Sequence, residues 1–329
     1  MRRREFIRLL GGAAAAWPLP TNAQQAGRVR HIGVLMDGTG TDMTLQAYVA
    51  ALRTGLQKLG WIAGQNLRIQ DRWAESDSGR MRTHAAELVA MGADIILTGN
   101  TPIVQELQRQ TRTIPIVFVA LGDPVATGVV ASLAHPGGNA TGFMNPPPSV
   151  SGKWLELLKE IAPGINHVLV MINAGNVANA SRLRAIETSA LSMGVKVSSS
   201  AIRDASDLKS AIDSISREQN TGLIITPGAP ISDLRKMLFE LTNQKHLPAV
   251  YAYPHDAMEG GLMSYGADPI DMWQRAASYV DRILKGEKPA DLPVQEPTNY
   301  KLVINLKTAK AIGLNISEVF LLRADQVVE

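Results

Sequence analysis

Small and polar residues follow the apolar runs of this sequence at places where a protein could bind a solute without reacting with it. Two such segments are Thr98-Gly99-Asn100-Thr101-Pro102 and Gly122-Asp123-Pro124, each directly after a run rich in Val and Ile. In open α/β sheets ligands bind outside the carboxyl ends of the strands, where N–H groups at a helix start can receive a carboxylate. The loop residues that we expect in such a site are Asp37, Thr41, Thr98, Gly99, Asn100, Thr101, Pro102, Gly122, Asp123, Pro124, Asn173 and Pro227.

Two tyrosines complete the candidate site. Tyr251 and Tyr253 alternate with Ala252 in a predicted strand, so both side chains should point to the same face. On the wall of a cleft they could stack on a planar or apolar ligand, and packing in the core or at its rim is the alternative. Turn formation or helix capping is the alternative for four polar loop residues. These are Thr98, Thr101, Asn173 and Asp123.

Motifs of catalysis and of cofactor binding are incomplete in this chain. The segment Asp37–Met43 follows the first predicted strand, but Met43 stands where a dinucleotide fingerprint needs its third glycine. The six histidines are scattered without a pair at one-turn spacing, and no Gly-x-Ser-x-Gly elbow is present. We therefore expect a binding protein with no cofactor and no metal. A secreted hydrolase or isomerase that uses carboxylates such as Asp37 and Asp123 is the alternative from another class.

Length and composition narrow the possible classes of protein. The 329 residues include no cysteine, which excludes disulfides, thiolate metal centres, thiol nucleophiles and a lipid-bearing cysteine. At about 100–200 residues per domain, this length favours two domains. Residues 1–23 hold four arginines and one glutamate, so the rest of the chain has 29 basic and 29 acidic residues. A balanced chain without a basic, aromatic cluster argues against a nucleic-acid partner.

The N-terminal 23 residues have the pattern of an export signal. A basic stretch, Arg2–Arg8, is followed by the short apolar stretch Leu9–Leu19 and by Thr21-Asn22-Ala23. Arg3–Arg8 resembles the twin-arginine export motif, and an ordinary secretory signal is the alternative. The apolar stretch is shorter than the roughly 20 residues of a membrane span. We expect an exported protein that is periplasmic, soluble and monomeric, without a lipid anchor on cysteine.

Short apolar runs alternate with longer amphipathic stretches from Arg30 onward, which is typical of β-α units around a mostly parallel sheet. The predicted strands are 31–36, 67–73, 95–98, 116–120, 167–172, 196–201, 222–226 and 249–253. The predicted helices are 45–59, 79–91, 102–110, 125–133, 151–161, 179–193, 205–219, 231–244 and 269–285.

The β-α series before residue 140 is repeated after residue 165, which predicts two lobes. Glycines and prolines in 136–148 indicate the connection between them. A strand at 262–266 that returns to the first lobe, and an extended segment 292–305 that returns to the second, would make a three-strand hinge. The predicted first lobe is 28–143 plus 264–291, and the second is 144–263 plus 292–329. The predicted hinge residues are Thr141, Gly142, Phe143, Tyr265 and Gly266.

Several segments of the chain resemble one protein family. They are Ile114–Val119, Gly122–Gly128, Leu133–Phe143, Gly260–Gly266, Arg282–Gly286, Lys288–Pro293 and Leu302–Ala309. In these segments the chain is similar to ABC transporter substrate-binding proteins of the periplasmic type I class, over essentially the whole mature length. The resemblance implies an α/β fold of two Rossmann-like lobes, a three-strand hinge and a ligand held between the lobes. It also implies ABC permease subunits as membrane partners.

The resemblance also indicates a ligand class and its contacts. Some relatives are similar to proteins that bind tryptophan or other aromatic amino acids. Family ligand contacts come from the loops matched by Thr98–Pro102 and Gly122–Pro124, with lobe-two loops near Asn173, Pro227 and Tyr253. One departure is Asn100, where many relatives carry a smaller residue. We expect capture of an amino acid or related carboxylate by hinge closure; a sensor that reports ligand occupancy to a signalling receptor is the alternative.

Overall fold

The computed structural model describes residues 28–173, 178–228, 231 and 233–329. The predicted export signal at 1–23 lies outside these residues. The strands are β1 (Arg30–Met36), β2 (Leu67–Trp73), β3 (Ile95–Thr98), β4 (Ile116–Leu121), β5 (Ala140–Met144), β6 (His167–Ile172), β7 (Lys196–Ala201), β8 (Thr221–Ile225), β9 (Ala249–Tyr251), β10 (Met263–Ala267), β11 (Tyr300–Asn305) and β12 (Gln326–Val328).

Helices connect most of these strands. They are α1 (Met43–Lys58), α2 (Ser78–Ala90), α3 (Thr101–Gln110), α4 (Ser151–Ile161), α5 (Ala178–Met193), α6 (Ala205–Ile215), α7 (Arg235–Gln244), α8 (Pro254–Glu259), α9 (Pro269–Leu284), α10 (Leu306–Ala311) and α11 (Glu318–Leu321). Short 3₁₀ turns lie at Pro148–Val150 and Pro289–Asp291. No helix in the described ranges combines the length and the apolar character needed to cross a membrane.

The strands form two sheets, as the β-α alternation predicts. One sheet has five parallel strands in the order β2-β1-β3-β4-β5. The other has seven strands in the order β12-β11-β10-β9-β8-β6-β7, with one antiparallel pair, β10 and β11. Two α/β lobes with Rossmann-like sheets confirm the predicted fold class. We call the five-stranded sheet with α1–α3 and α9 lobe one, and the seven-stranded sheet with the remaining helices lobe two.

Side chains of the buried strands and of the amphipathic helices form the cores of the lobes. In β3 all four residues are buried, because helices cover both faces of a parallel sheet. In lobe one, α9 packs along α1, and their contact buries Leu52, Trp273 and Val280. In lobe two, α4 and α5 pack together on the sheet around Trp154 and Ile186.

The chain crosses between the lobes in three segments: after β5, between β10 and α9, and between Leu292 and β11. The expectation that the strand near 262–266 belongs to lobe one is wrong, because β10 pairs with β9 and β11 in the seven-stranded sheet. That crossing falls after Ala267. Leu292 is buried in the lobe-one core, and Gln295 bridges to Phe143 of β5. The third crossing therefore lies beyond the predicted boundary at 292.

Both predicted hinge glycines lie where backbones approach each other closely. A Cβ on Gly142 would come within 1.9 Å of the Phe118 carbonyl oxygen, and one on Gly266 within 1.8 Å of the Ala252 carbonyl oxygen. A side chain at either position would collide with a neighbouring strand or its following loop. Glycine is therefore required where β5 and β10 lead out of their sheets.

Several predicted elements differ from the structure. The predicted helix 125–133 is a series of turns, because the Asp123 carboxylate accepts from the N–H groups of Val125 and Ala126 and Gly128 has φ +71°. The predicted strand 249–253 ends at Tyr251, and the predicted helix 231–244 begins at Arg235. The elements β5, α8, α10, α11 and β12 are not among the predicted strands and helices.

Candidate functional site

A cavity of about 600 Å³ lies between the two lobes. Its wall is built from loops at the carboxyl ends of β1, β3 and β4 in lobe one and of β6, β8 and β9 in lobe two. These are the positions at which parallel α/β sheets bind ligands. The volume is within the range of small-molecule sites, about 300–1,000 Å³.

The lobe-one wall presents a carboxylate that its neighbour orients. The Asn100 amide nitrogen donates to Asp37 Oδ2 over 2.8 Å, and Asn100 Oδ1 accepts from the N–H of Ile103 to cap α3. The cap fixes the amide, and the amide in turn fixes the carboxylate. Partial burial and, to a lesser degree, the nearby Asp233 raise the pKa of Asp37.

Negative groups outnumber positive ones on the wall. Asp37 and Asp42 line it from lobe one, and Asp233 lines it from lobe two. Desolvation and the charge of Asp42 raise the pKa of Asp233, as expected where carboxylates converge. Within the described part of the wall, Arg235 is the only lysine or arginine. The cavity thus favours a ligand that carries a positive group.

Aromatic side chains from both lobes form a second feature of the cavity. Tyr48 of α1 stacks on Trp273 of α9 with ring centroids 6.3 Å apart, and Tyr253 stacks on His255 at 5.4 Å. Tyr48 and His255 meet edge to face at 6.5 Å across the lobe boundary. We call these four residues the aromatic shelf. Its π faces suit an aromatic ring or a cation.

His255 belongs to the shelf as a neutral ring. Burial, and then the positive charge of Arg235, lower the pKa of His255 to about 4. The adjacent Asp256 is also buried, and its pKa is raised to about 7. Neutral His255 contributes no positive charge to the wall near pH 7, so negatively charged groups remain in excess on the wall.

The lobes touch at the edge of the cavity through Arg235. Its Nη2 atom donates to Thr44 Oγ1 of lobe one over 2.7 Å, and its Nε atom pairs with Glu259 of lobe two over 3.2 Å. The Arg235 side chain is only 18% exposed, so solvent screens these contacts weakly. This hydrogen bond exists only while the lobes are close together.

Most of the residues predicted from sequence lie on the cavity wall. The structure places nine of them there: Asp37, Gly99, Asn100, Thr101, Pro102, Gly122, Asn173, Pro227 and Tyr253.

Four other loop candidates lie away from the wall. Thr98 is fully buried in β3, and its hydroxyl accepts from the N–H of Asn100 at 3.3 Å. Thr41 is exposed and its hydroxyl contacts that of Thr39, while Asp123 caps the turn before Val125. The fourth, Pro124, is buried within that turn region. Each of the three polar side chains among them forms a hydrogen bond with a group two residues away in its own loop.

Tyr251 lies in the core of lobe two and not in the cleft. It is 1% exposed, and its ring packs edge to face on Phe239 at 5.4 Å. The expected alternation with Tyr253 fails because β9 ends at Tyr251, and Tyr253 takes the position before α8. The two side chains therefore point to different surroundings.

Sequence reasoning missed several residues of the wall. Tyr48 and Trp273 lie on amphipathic helices, where the pattern indicates packing, and Trp273 is indeed 1% exposed. Only the packing of α1 on α9 brings these two rings to the cavity. Other missed residues are Asp42, Thr44, Asn145, Asp233, Arg235 and His255. No group of three or more His, Asp or Glu side chains in the described ranges is placed to hold a metal ion.

Comparison with known proteins identifies the family. The family model described as ABC transporter substrate binding protein matches residues 39–328. A tyrosine-binding protein of Clostridioides difficile is 25% identical over 288 residues, which are 87% of this chain and 81% of that protein.

Solved structures show the same fold. A conserved domain protein from Vibrio cholerae has a TM-score of 0.83 at 28% identity, covering 91% of this chain and 100% of that one. A domain from Streptococcus pneumonia in complex with L-Trp has a TM-score of 0.83 at 24% identity, with the same coverage. With the family model matching most of its length, the chain belongs to the ABC transporter substrate-binding proteins.

Proposed function

We propose that this protein captures an amino acid with an aromatic side chain in the interlobe cleft and delivers it to an ABC permease. The observation that carries the proposal is the presence, in one cavity, of a carboxylate-rich wall and an aromatic shelf. The tyrosine-binding relative from Clostridioides difficile supports the same class of ligand.

The cavity matches the two ends of such a ligand. An α-ammonium group bound near Asp37 would offset the converging negative charges of Asp37 and Asp233. A planar side chain would lie against the aromatic shelf, of which Tyr48 and Tyr253 come from different lobes. Ligand contacts with both lobes are what hinge closure requires, because a ligand shifts the equilibrium only by binding the closed state better.

The binding cycle follows from this division of contacts. The ligand docks on one lobe, the three crossing segments bend, and the second lobe completes the contacts and excludes water. The hydrogen bond from Arg235 to Thr44 forms as the lobes meet. The closed form is then presented to the permease. No step needs covalent chemistry, so the function is binding and not catalysis.

The N-terminal sequence supports a place outside the cytoplasm. Arg3 and Arg4 lie in a segment that fits a twin-arginine signal at 1–23. We propose a periplasmic monomer that diffuses between its ligand source and the permease.

Thermal denaturation in the presence of candidate ligands tests the proposal. A ligand that binds only the native state, at a free concentration of 100 times its Kd, stabilises the protein by about 2.7 kcal/mol. We expect saturable stabilisation by aromatic amino acids and none by sugars or purines, with the ligand recovered unchanged. Stabilisation by sugars alone, or conversion of the ligand to a product, would contradict the proposal.

A further inference from the structure

Lobe two contains a buried guanidinium that lacks most of its hydrogen-bond partners. Arg182 of α5 is 2% exposed, and its Nη2 atom donates to the carbonyl of Pro146 over 3.0 Å. Its Nε and Nη1 atoms have no partner, and no carboxylate in the described ranges forms a salt bridge with it. Burial lowers the pKa of Arg182. Arginine nevertheless keeps its positive charge in proteins.

Such a group is costly unless an anion is bound to it. A buried charge without a partner destabilises a protein, and unmade hydrogen bonds to a charged group add to that destabilisation. The ring of Trp154, with its centroid 5.8 Å from the Arg182 guanidinium carbon, provides only a partial substitute. The unpartnered N–H groups of Arg182 can donate charge-assisted hydrogen bonds to a carboxylate.

Arg182 lies directly behind the lobe-two wall of the cavity. Pro146, its hydrogen-bond acceptor, follows the wall residue Asn145. Asn179, one turn before Arg182 on the same helix, donates to the carbonyl of the wall residue Asn173 over 2.8 Å. The phenol of Tyr253 is close enough to interact electrostatically with the guanidinium.

The wall in front of Arg182 is weakly closed. It is held by the hydrogen bond from the Tyr253 hydroxyl to Asn145 Oδ1, which is 3.5 Å long. A bond of that length is at the limit of a hydrogen bond and is easily replaced. Displacement of the Tyr253 side chain would break this bond and open the wall next to Pro146, the hydrogen-bond acceptor of Arg182.

We infer that Arg182 binds the carboxylate of the ligand, which enters between Asn145 and Tyr253. This assignment rests on the proposed function and adds to it the orientation of the ligand in the cleft. The carboxylate lies towards Arg182 in lobe two, and the ammonium lies towards Asp37 in lobe one. Arg182 thereby selects amino acids over amines of the same side chain.

Titration calorimetry with matched ligand pairs tests this assignment. The pairs are tyrosine with tyramine and tryptophan with tryptamine, which differ only by the carboxylate. We expect the wild-type protein to bind the amino acid at least about tenfold more tightly than its amine, the size of one charge-assisted hydrogen bond. R182Q should bring the two affinities of a pair close together, and R182K should retain part of the preference.

The matched control is R184Q, which alters an exposed arginine on the same helix and should keep the full preference. Equal affinity of the wild-type protein for both members of each pair overturns this inference alone, and needs no variant to fold. A full preference in folded R182Q overturns it as well. Absence of binding of all four compounds to the wild-type protein overturns the proposed function together with it.

Discussion

Arg235 of lobe two donates a hydrogen bond to Thr44 of lobe one at the edge of the cavity, with Nη2 and Oγ1 2.7 Å apart. The donor is charged and mostly buried, so the bond is stronger than one between neutral exposed groups. It links α7 directly to α1. Its energy therefore contributes to the equilibrium between open and closed lobes.

Removal of the Thr44 hydroxyl should favour the open form. T44V keeps the shape of the side chain but leaves Arg235 without its acceptor, at a cost of about 1–2 kcal/mol. We expect ligand affinity to fall about five- to thirtyfold and the ligand-free protein to have a larger radius of gyration in X-ray scattering. T54V, on the exposed side of the same helix, should change neither quantity. Unchanged affinity in T44V would show that the bond does not hold the lobes closed.

Neutralisation of the wall carboxylates should weaken the binding of ammonium groups. D37N and D233N each remove one of the converging negative charges while keeping the size of the side chain. We expect each variant to bind tyrosine about tenfold more weakly in calorimetry, with little change for an analogue without the amino group. The control D213N removes an exposed carboxylate of lobe two. Equal losses for both ligands would contradict ammonium recognition.

Asp256 should make stability depend on pH. Its pKa is about 7 in the folded protein, mainly through burial, and about 3.9 for an unfolded aspartate. The folded state binds more protons between these values, so the stability contributed by this group is full below about pH 4 and is lost as pH rises through about 7. In urea unfolding, D256N should therefore gain stability relative to the wild type from pH 4 to 7 and then level off.

The control variant for the pH dependence of urea unfolding is D213N. A hydrogen bond from Lys209 lowers the pKa of Asp213, so its proton balance changes only in acid. The difference between D213N and the wild type should be flat from about pH 5 to 8. A flat difference for D256N over the same range would mean that Asp256 ionises like an exposed carboxylate.

Alanine at the crossing glycines should destabilise the fold. In G142A and G266A the new Cβ would meet a carbonyl oxygen at less than 2 Å, so the backbone must move. We expect each substitution to lower the free energy of unfolding by at least about 2 kcal/mol in chemical denaturation. G138A is the control, because no heavy atom lies within 4 Å of its Cβ position. A nearly unchanged free energy of unfolding in G142A and G266A would show that the backbone at the crossings can move to accommodate a Cβ atom.

The fold could be predicted because its signals are local. Buried parallel strands such as β3 and β4 are short Val- and Ile-rich runs, and capping residues such as Asp42 and Asn100 stand directly before their helices. The error at 262–266 has a different origin. A five-residue strand carries no information about which sheet it joins, and only the pairing of Met263 with Val250 and Ile304 decides that.

The site was less accessible to sequence reasoning. The sequence identifies the loops that follow strands, and therefore indicates Asp37 and Asn100 as site residues. Tyr48 and Trp273 have the spacing of packing residues, and their position at the cavity depends on how α1 packs against α9. Arg182 lies on the buried stripe of α5, where a charged residue has no local signature. Long-range packing therefore determines the residues that the sequence does not reveal.

The most direct test of the account is calorimetric titration of the purified protein with tyrosine and with its deaminated analogue, 3-(4-hydroxyphenyl)propionate. Both compounds carry the ring and the carboxylate, and only tyrosine carries the ammonium group that the wall around Asp37 and Asp233 should require. The account predicts saturable one-to-one binding of tyrosine and at least about tenfold weaker binding of the analogue. Equal binding of the two compounds, or binding of the analogue alone, would contradict it.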